Sequence, residues 1–270
     1  MSNARINIPA RTTPPFSRSD LSSLNARHAP PLTRSSAGSI NKAAGSQGAE
    51  MPRREPPPAA APAAPAGRAP AGNPHPAPPA DIRLPVFQHP LRKGQKTPLD
   101  PSGRVRGIKA CFGWNIRDGR CDVDASAFLV RDNGRVPGDE WFVFYGQPRS
   151  PDGSVELKEP SGGSDRKLIT ADLGKLSPDI QRIVFVVTIH EALERGLNFS
   201  MLKDTYIRLL DAATGQEIVS YCLEEYYQNV TSMTIGELYL HNGQWKFNPV
   251  GNGVNRDLAG QCAVYGVVIG

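Results

Sequence analysis

The chain has 270 residues, 26 prolines and a formal net charge of +5. These features are unevenly distributed: residues 1–85 hold 17 of the prolines, one aromatic residue and a net charge of +6, whereas residues 86–270 carry a net charge of −1 and all three tryptophans. The longest apolar run, residues 183–189, is far shorter than the ~18 apolar residues of a membrane span, so the composition predicts no transmembrane helix.

Residues 1–85 are predicted to be a disordered, basic tail rich in Pro, Ala and Ser, because a segment with one aromatic side chain buries too little apolar surface to offset its chain entropy. Its Pro/Ala tract at 55–80 is typical of a polyproline II spacer. The tail is either a solvated linker or an arm that recruits a proline-recognising partner or an acidic surface. Scattered arginines without aromatics indicate no specific nucleic-acid binding.

The N-terminal residues contain no apolar core of the kind that a secretory signal needs, so we expect a cytoplasmic protein. The arginines at 5, 11, 18, 27 and 34, with many serines and few acids around them, are also typical of an organellar transit peptide, which is the alternative interpretation of these residues.

Residues 86–270 are predicted to form one all-β domain, an antiparallel β-sandwich with one or two short helices. The dipeptide Asn242-Gly243 between two β-favouring runs predicts a tight hairpin. Helical turns are predicted at 191–197 and at 255–265. The nine predicted strands are 106–114, 125–130, 141–145, 167–173, 182–190, 205–212, 217–223, 231–241 and 244–250.

Acidic residues at the predicted strand starts are the candidates for a metal site. Asp122 and Asp124 are two residues apart and project to one side of a strand, so both could bind one hard cation. Asp139 and Glu140 precede another strand, and Asp165 follows a Gly-rich loop. Calcium binds six to eight such oxygens; the alternative is that these are solvated turn carboxylates.

Patterns of catalytic residues are weaker than the pattern of a metal site, and we expect that the protein is not an enzyme. His190 precedes Glu191, but no nucleophile elbow accompanies the pair. The four cysteines lack zinc-site spacing, and Cys222 and Cys262 have apolar neighbours, which indicates buried thiols in a reducing compartment.

Several motifs in residues 86–266 together resemble the TerD family of tellurium-resistance and stress-response proteins. This resemblance implies a calcium-binding β-sandwich without catalytic activity, with metal ligands in the acidic loops around the run 122–129 and in the Gly/Asp-rich loop after Val155. The motifs are Gly113-Trp114-Asn115, the runs 122–129, 138–145, 150–155 and 183–190, and Gly236-Glu237-Leu238-Tyr239.

The chain departs from the family pattern at these loops. Asn115 stands where the family has an aspartate, and the loop after Val155 is shorter and retains only Gly162, Gly163 and Asp165 of a carboxylate-rich stretch. Since calcium affinity depends on the number of charged ligands, the site is expected to be depleted.

Two functions are therefore open. One is a calcium-linked, non-enzymatic module in tellurite resistance or general stress response. The other is a metal-free interaction or scaffold protein, whose basic tail recruits another Ter-type stress protein or an anionic membrane surface.

Overall fold

The computed structural model describes residues 80–268. Residues 1–79, which form most of the predicted tail, lie outside the described residues. Eleven strands are present in this part of the chain. They are β1 (Thr97–Pro98), β2 (Gly107–Ile116), β3 (Val123–Val130), β4 (Phe142–Val143), β5 (Val155–Lys158), β6 (Lys167–Asp172), β7 (Arg182–Ile189), β8 (Leu202–Asp211), β9 (Glu217–Cys222), β10 (Ser232–His241) and β11 (Gln244–Val254).

The strands form two antiparallel sheets, which confirms the predicted fold class. The six-stranded sheet has the order β1-β11-β10-β7-β3-β4, and the five-stranded sheet has the order β5-β6-β2-β8-β9. Apolar side chains from both sheets meet in one core cluster. At its centre the fully buried rings of Phe112 on β2 and Phe185 on β7 contact edge to face, with centroids 5.7 Å apart.

The apolar run in β7 is explained by burial on both faces. Phe185 and Val187 point into the core between the sheets, whereas Val184 and Val186 belong to a second apolar cluster on the opposite face. A strand covered on both faces needs no polar alternation, so the continuous run of β-branched residues is retained.

All nine predicted strands are present, with ends shifted by up to four residues. The segment predicted as strand 141–145 is mostly irregular, because Asp139–Trp141 forms a 3₁₀ turn and only Phe142–Val143 pairs with β3. The hairpin prediction is confirmed: His241 pairs with Gln244, and Asn242 and Gly243 have φ of 52° and 72°. Both signs match the type I′ turn that an Asn-Gly pair favours.

Both predicted helices are present and short. Helix α1 (Ala192–Arg195) ends at Gly196, whose φ is 63°. Helix α2 (Leu258–Tyr265) begins where the Asp257 carboxylate accepts a hydrogen bond from the Gly260 N–H. Tyr265 stacks on Phe128, so α2 covers the outer face of the six-stranded sheet. In the described part of the chain, no helix has the length and apolarity needed to cross a bilayer.

Candidate functional site

Asp122 and Asp124 flank the first residue of β3, as the sequence predicts. Asp122 is exposed, and its carbonyl accepts a hydrogen bond from the His190 N–H across the sheet end. Burial raises the pKa of Tyr145, and the charges of Asp124 and Asp122 raise it further. The two carboxylates therefore act on the same neighbouring side chain.

Asp124 already has donors from the protein. Its Oδ1 accepts a hydrogen bond of 2.8 Å from the Ala125 N–H and lies 3.5 Å from the Lys167 Nζ. Burial raises the pKa of the Asp124 carboxyl, while the lysine charge and the N–H bond act in the opposite direction. Lys167 begins β6 on the other sheet, so this ion pair joins the two sheets at one end of the sandwich.

Asp165 lies in a different polar cluster. Arg208 donates two hydrogen bonds to its carboxylate, at 3.1 and 2.7 Å, and the Tyr206 hydroxyl donates a third at 2.9 Å. Tyr206 and Arg208 alternate along β8 with core residues, so they belong to the face of the five-stranded sheet that points away from the core. The Asp165 side chain is only 10% exposed, and three charge-assisted donors compensate its charge.

Asp139 and Glu140 contact the C-terminal part of the domain and the preceding loop. The Asp139 Oδ1 accepts a hydrogen bond of 2.8 Å from the Val268 N–H. The Glu140 carboxylate folds back over Gly138, where a Cβ would come within 2.5 Å of its oxygen. The Asp139 carboxylate is thus engaged with the C-terminal backbone, and the Glu140 carboxylate lies against the turn before β4.

The five predicted metal ligands therefore have three separate sets of partners. Calcium requires about six to eight oxygens around one point. Within residues 80–268, no group of three or more His, Cys, Asp or Glu side chains could hold a metal ion. The donor sets present do not fit a calcium cage, and the ligand roles of the five residues stay predictions.

The Asn115 side chain makes three hydrogen bonds that the sequence does not predict. The sequence alone marks Asn115 only as an uncharged residue at a position where the resemblance implies an aspartate. Its Oδ1 accepts a hydrogen bond of 2.7 Å from the Ile82 N–H, and its Nδ2 donates to the Ile82 carbonyl at 3.2 Å and to the Asp204 carboxylate at 2.9 Å. The side chain is buried, at 3% exposure. The amide accepts through its oxygen and donates through its NH₂ group, whereas an ionised carboxylate has no donor.

The segment held by Asn115, residues 80–91, is called here the N-terminal strap. It crosses the outer face of the five-stranded sheet, where Phe87 packs edge to face on Tyr206 at 5.2 Å. Asp81 forms an ion pair of 2.6 Å with Lys203. The buried Glu217 accepts hydrogen bonds from the backbone N–H groups of two strap residues, Gln88 and His89. No sequence motif marked these contacts, because each joins residues far apart in the chain.

A cleft of about 430 Å³ lies between the strap and the turn after β8. Its polar lining includes Arg208 and Glu217, which already bind Asp165 and the strap backbone, respectively. The charged groups of this cleft are thus engaged in holding the fold.

The cysteine thiols are protected by burial. All four are free, and burial raises the pKa of Cys111 and Cys262 to about 12 and that of Cys121 and Cys222 to about 11. A thiolate is the reactive form of cysteine. The predicted burial of Cys262 is confirmed, whereas Cys222 is half-buried.

We expect the native protein to react with a thiol-alkylating reagent at pH 8 more than about tenfold more slowly than the urea-unfolded protein, because burial disfavours the thiolate. Cys222 is expected to react first. Mass spectrometry of a labelling time course gives both rates, and a native rate equal to the unfolded rate would contradict the burial of the thiols.

Comparison with known proteins identifies the family. The TerD domain model matches residues 87–265. The chain is 38% identical over 185 residues to the tellurium resistance protein TerD of Serratia marcescens, covering 66% of this chain and 96% of that protein. It is 33% identical over 189 residues to general stress protein 16U of Bacillus subtilis, covering 67% and 98%.

A solved structure of a homologue of telluride resistance protein TerD from Streptomyces coelicolor A3(2) is 17% identical, with a TM-score of 0.45, and the match covers 62% of this chain and 99% of that one. The domain model spans most of the two-sheet domain and includes all five predicted carboxylates. The chain belongs to the TerD domain family.

Proposed function

We propose that this chain is a non-catalytic interaction module of the cytoplasm that acts in tellurite tolerance or general stress response. The observation that carries the proposal is the alignment along nearly the full length of two relatives, one named for tellurium resistance and one for general stress. An alignment of this extent includes the core strands and the loops between them. The simplest proposal is therefore that this chain has a role related to that of the two relatives.

The chemistry of the domain supports a role without catalysis. A nucleophilic cysteine needs a lowered pKa, and burial raises the pKa of each thiol. Asp165, Arg208 and Tyr206 bind one another. Among the described residues, these thiols and the Asp165 cluster are therefore committed to the fold.

The metal-free version of this function is the better supported one. In the calcium-linked version, Asp122, Asp124, Asp139, Glu140 and Asp165 would share an ion. Three of them accept hydrogen bonds from protein donors through their carboxylates, namely Asp124, Asp139 and Asp165. In the metal-free version, the basic segment 1–85 recruits the partner, either another Ter-type stress protein or an anionic membrane surface.

Expression of the full chain in a bacterium that lacks TerD-family genes is expected to increase survival on potassium tellurite several-fold relative to the empty vector. The matched control is Gly113→Val, because a Cβ at Gly113 would lie 2.3 Å from the ring of Tyr206 and would disrupt the five-stranded sheet. Survival that is equal for the chain, the control and the vector would contradict a role in tellurite tolerance.

A further inference from the structure

Lys167 lies between two carboxylates from different parts of the fold. Its Nζ is 2.9 Å from the Glu159 Oε1 and 3.5 Å from the Asp124 Oδ1. Glu159 follows β5, Asp124 lies on β3, and Lys167 itself begins β6. One ammonium group therefore links the six-stranded sheet, the five-stranded sheet and the start of the loop 159–166.

This ammonium is partly withdrawn from water. The Lys167 side chain is 20% exposed and that of Asp124 is 26% exposed, whereas Glu159 is open to solvent. Burial lowers the pKa of Lys167, but the hydrogen bond to Glu159 and the charge of Asp124 outweigh it, so the net pKa is raised. A buried carboxylate without a counter-charge is costly, and Lys167 provides this charge for Asp124.

The charges around Lys167 are acidic. Besides Asp124 and Glu159, the exposed Asp122 lies two residues before Asp124, and both aspartates act on Tyr145. Without the lysine, Asp124 and Glu159 would lose the counter-charge that they share, and a divalent cation bound to these two carboxylates would restore it.

The other end of the same loop is anchored in the same way. Asp165 accepts two hydrogen bonds from Arg208 on β8. The loop 159–166 is thus held at its start by a lysine that bridges to β3 and near its end by an arginine. In both places the positive charge that binds the loop is carried by a side chain of the protein.

We propose that Lys167 is the resident cation of this end of the sandwich, a fixed positive charge that joins Asp124 to Glu159 and makes the closure of the two sheets independent of a divalent ion. The inference extends the metal-free version of the proposed function, but it does not require a role in tellurite tolerance.

The test is the thermal unfolding midpoint of the full chain, measured in chelator and in millimolar calcium chloride. The wild-type midpoint is expected to be the same in both. Lys167→Gln is expected to lower the midpoint in chelator by about 2–6 °C, and calcium is expected to restore part of this loss. Lys167→Arg, which keeps the charge, is expected to remain insensitive to calcium.

Lys175→Gln is the matched control, because Lys175 forms a 3.5 Å ion pair with Asp172 at the exposed surface. A wild-type midpoint that rises by several degrees in calcium would overturn the proposal. So would a Lys167→Gln midpoint equal to that of the control, or one that calcium leaves unchanged. If Lys167→Gln does not fold, the proposal is tested by the midpoints of the wild type and of Lys167→Arg, each compared in chelator and in calcium. None of these measurements involves tellurite, so the two proposals can fail separately.

Discussion

Replacement of Asp165 by alanine is expected to lower the free energy of unfolding by about 3 kcal/mol. The substitution removes the acceptor of two hydrogen bonds from Arg208 and one from Tyr206. The guanidinium, whose side chain is 21% exposed, would be left without its partner beside the strap. Urea unfolding of both proteins in chelator, followed by tryptophan fluorescence, measures the difference.

The matched control for this substitution is Asp179→Ala. Asp179 is 65% exposed and lies 3.5 Å from Arg131, and an exposed pair of this kind contributes about 0–1 kcal/mol. If Asp165 were chiefly a calcium ligand, Asp165→Ala would resemble the control in chelator and differ from the wild type only with calcium. That outcome would contradict the structural role.

The strands could be predicted because their signals are local. The alternation of apolar residues and the Asn242-Gly243 turn can each be recognised within a stretch of about ten residues. The hairpin follows because these two residues tolerate a positive φ. The two unpredicted strands, β1 and β5, are two and four residues long, too short to show a period. Trp141 begins the predicted strand 141–145, but in the structure it ends a 3₁₀ turn.

The candidate site was only partly predictable, because its contacts are not local. The i, i+2 spacing predicts that Asp122 and Asp124 project to one side of a strand, and their shared role as ligands stays a prediction. The partner of Asp165 is 43 residues away on β8, and Lys167 reaches Asp124 from the other sheet. A carboxylate that binds a metal and one that binds an arginine are identical in sequence, so only the three-dimensional pairing distinguishes them.

Asn115→Asp is expected to lower the free energy of unfolding by about 2–4 kcal/mol at neutral pH. An aspartate at this position can still accept from the Ile82 N–H, but it has no donor for the Ile82 carbonyl or for Asp204. It would also place a second carboxylate at the 2.9 Å contact with Asp204, in a buried position. This substitution introduces the residue that the resemblance to the TerD family implies at this position, and it is nevertheless expected to destabilise this chain.

The rate of trypsin cleavage within the strap is a second measurement of the destabilisation caused by Asn115→Asp. Arg83 is an exposed trypsin site between Ile82 and the rest of the strap, and loss of the Asn115 contacts is expected to accelerate cleavage after it. Asn133→Asp is the matched control, because the Asn133 side chain accepts a hydrogen bond from the Arg135 N–H in an exposed turn, a bond that a carboxylate also accepts. Its stability and cleavage rate should equal those of the wild type.

The pH dependence of the free energy of unfolding of Asn115→Asp distinguishes charge repulsion with Asp204 from a simple loss of packing. A carboxyl group introduced beside Asp204 and buried under the strap favours the protonated form, so the folded state of Asn115→Asp binds a proton more tightly than the unfolded state. The destabilisation is then complete at neutral pH and decreases as the pH falls through the carboxyl range. A protonated carboxyl can also donate to Asp204, as the asparagine amide does. A deficit that stays constant with pH would show that the geometry of the amide, rather than its lack of charge, holds the strap on the sheet.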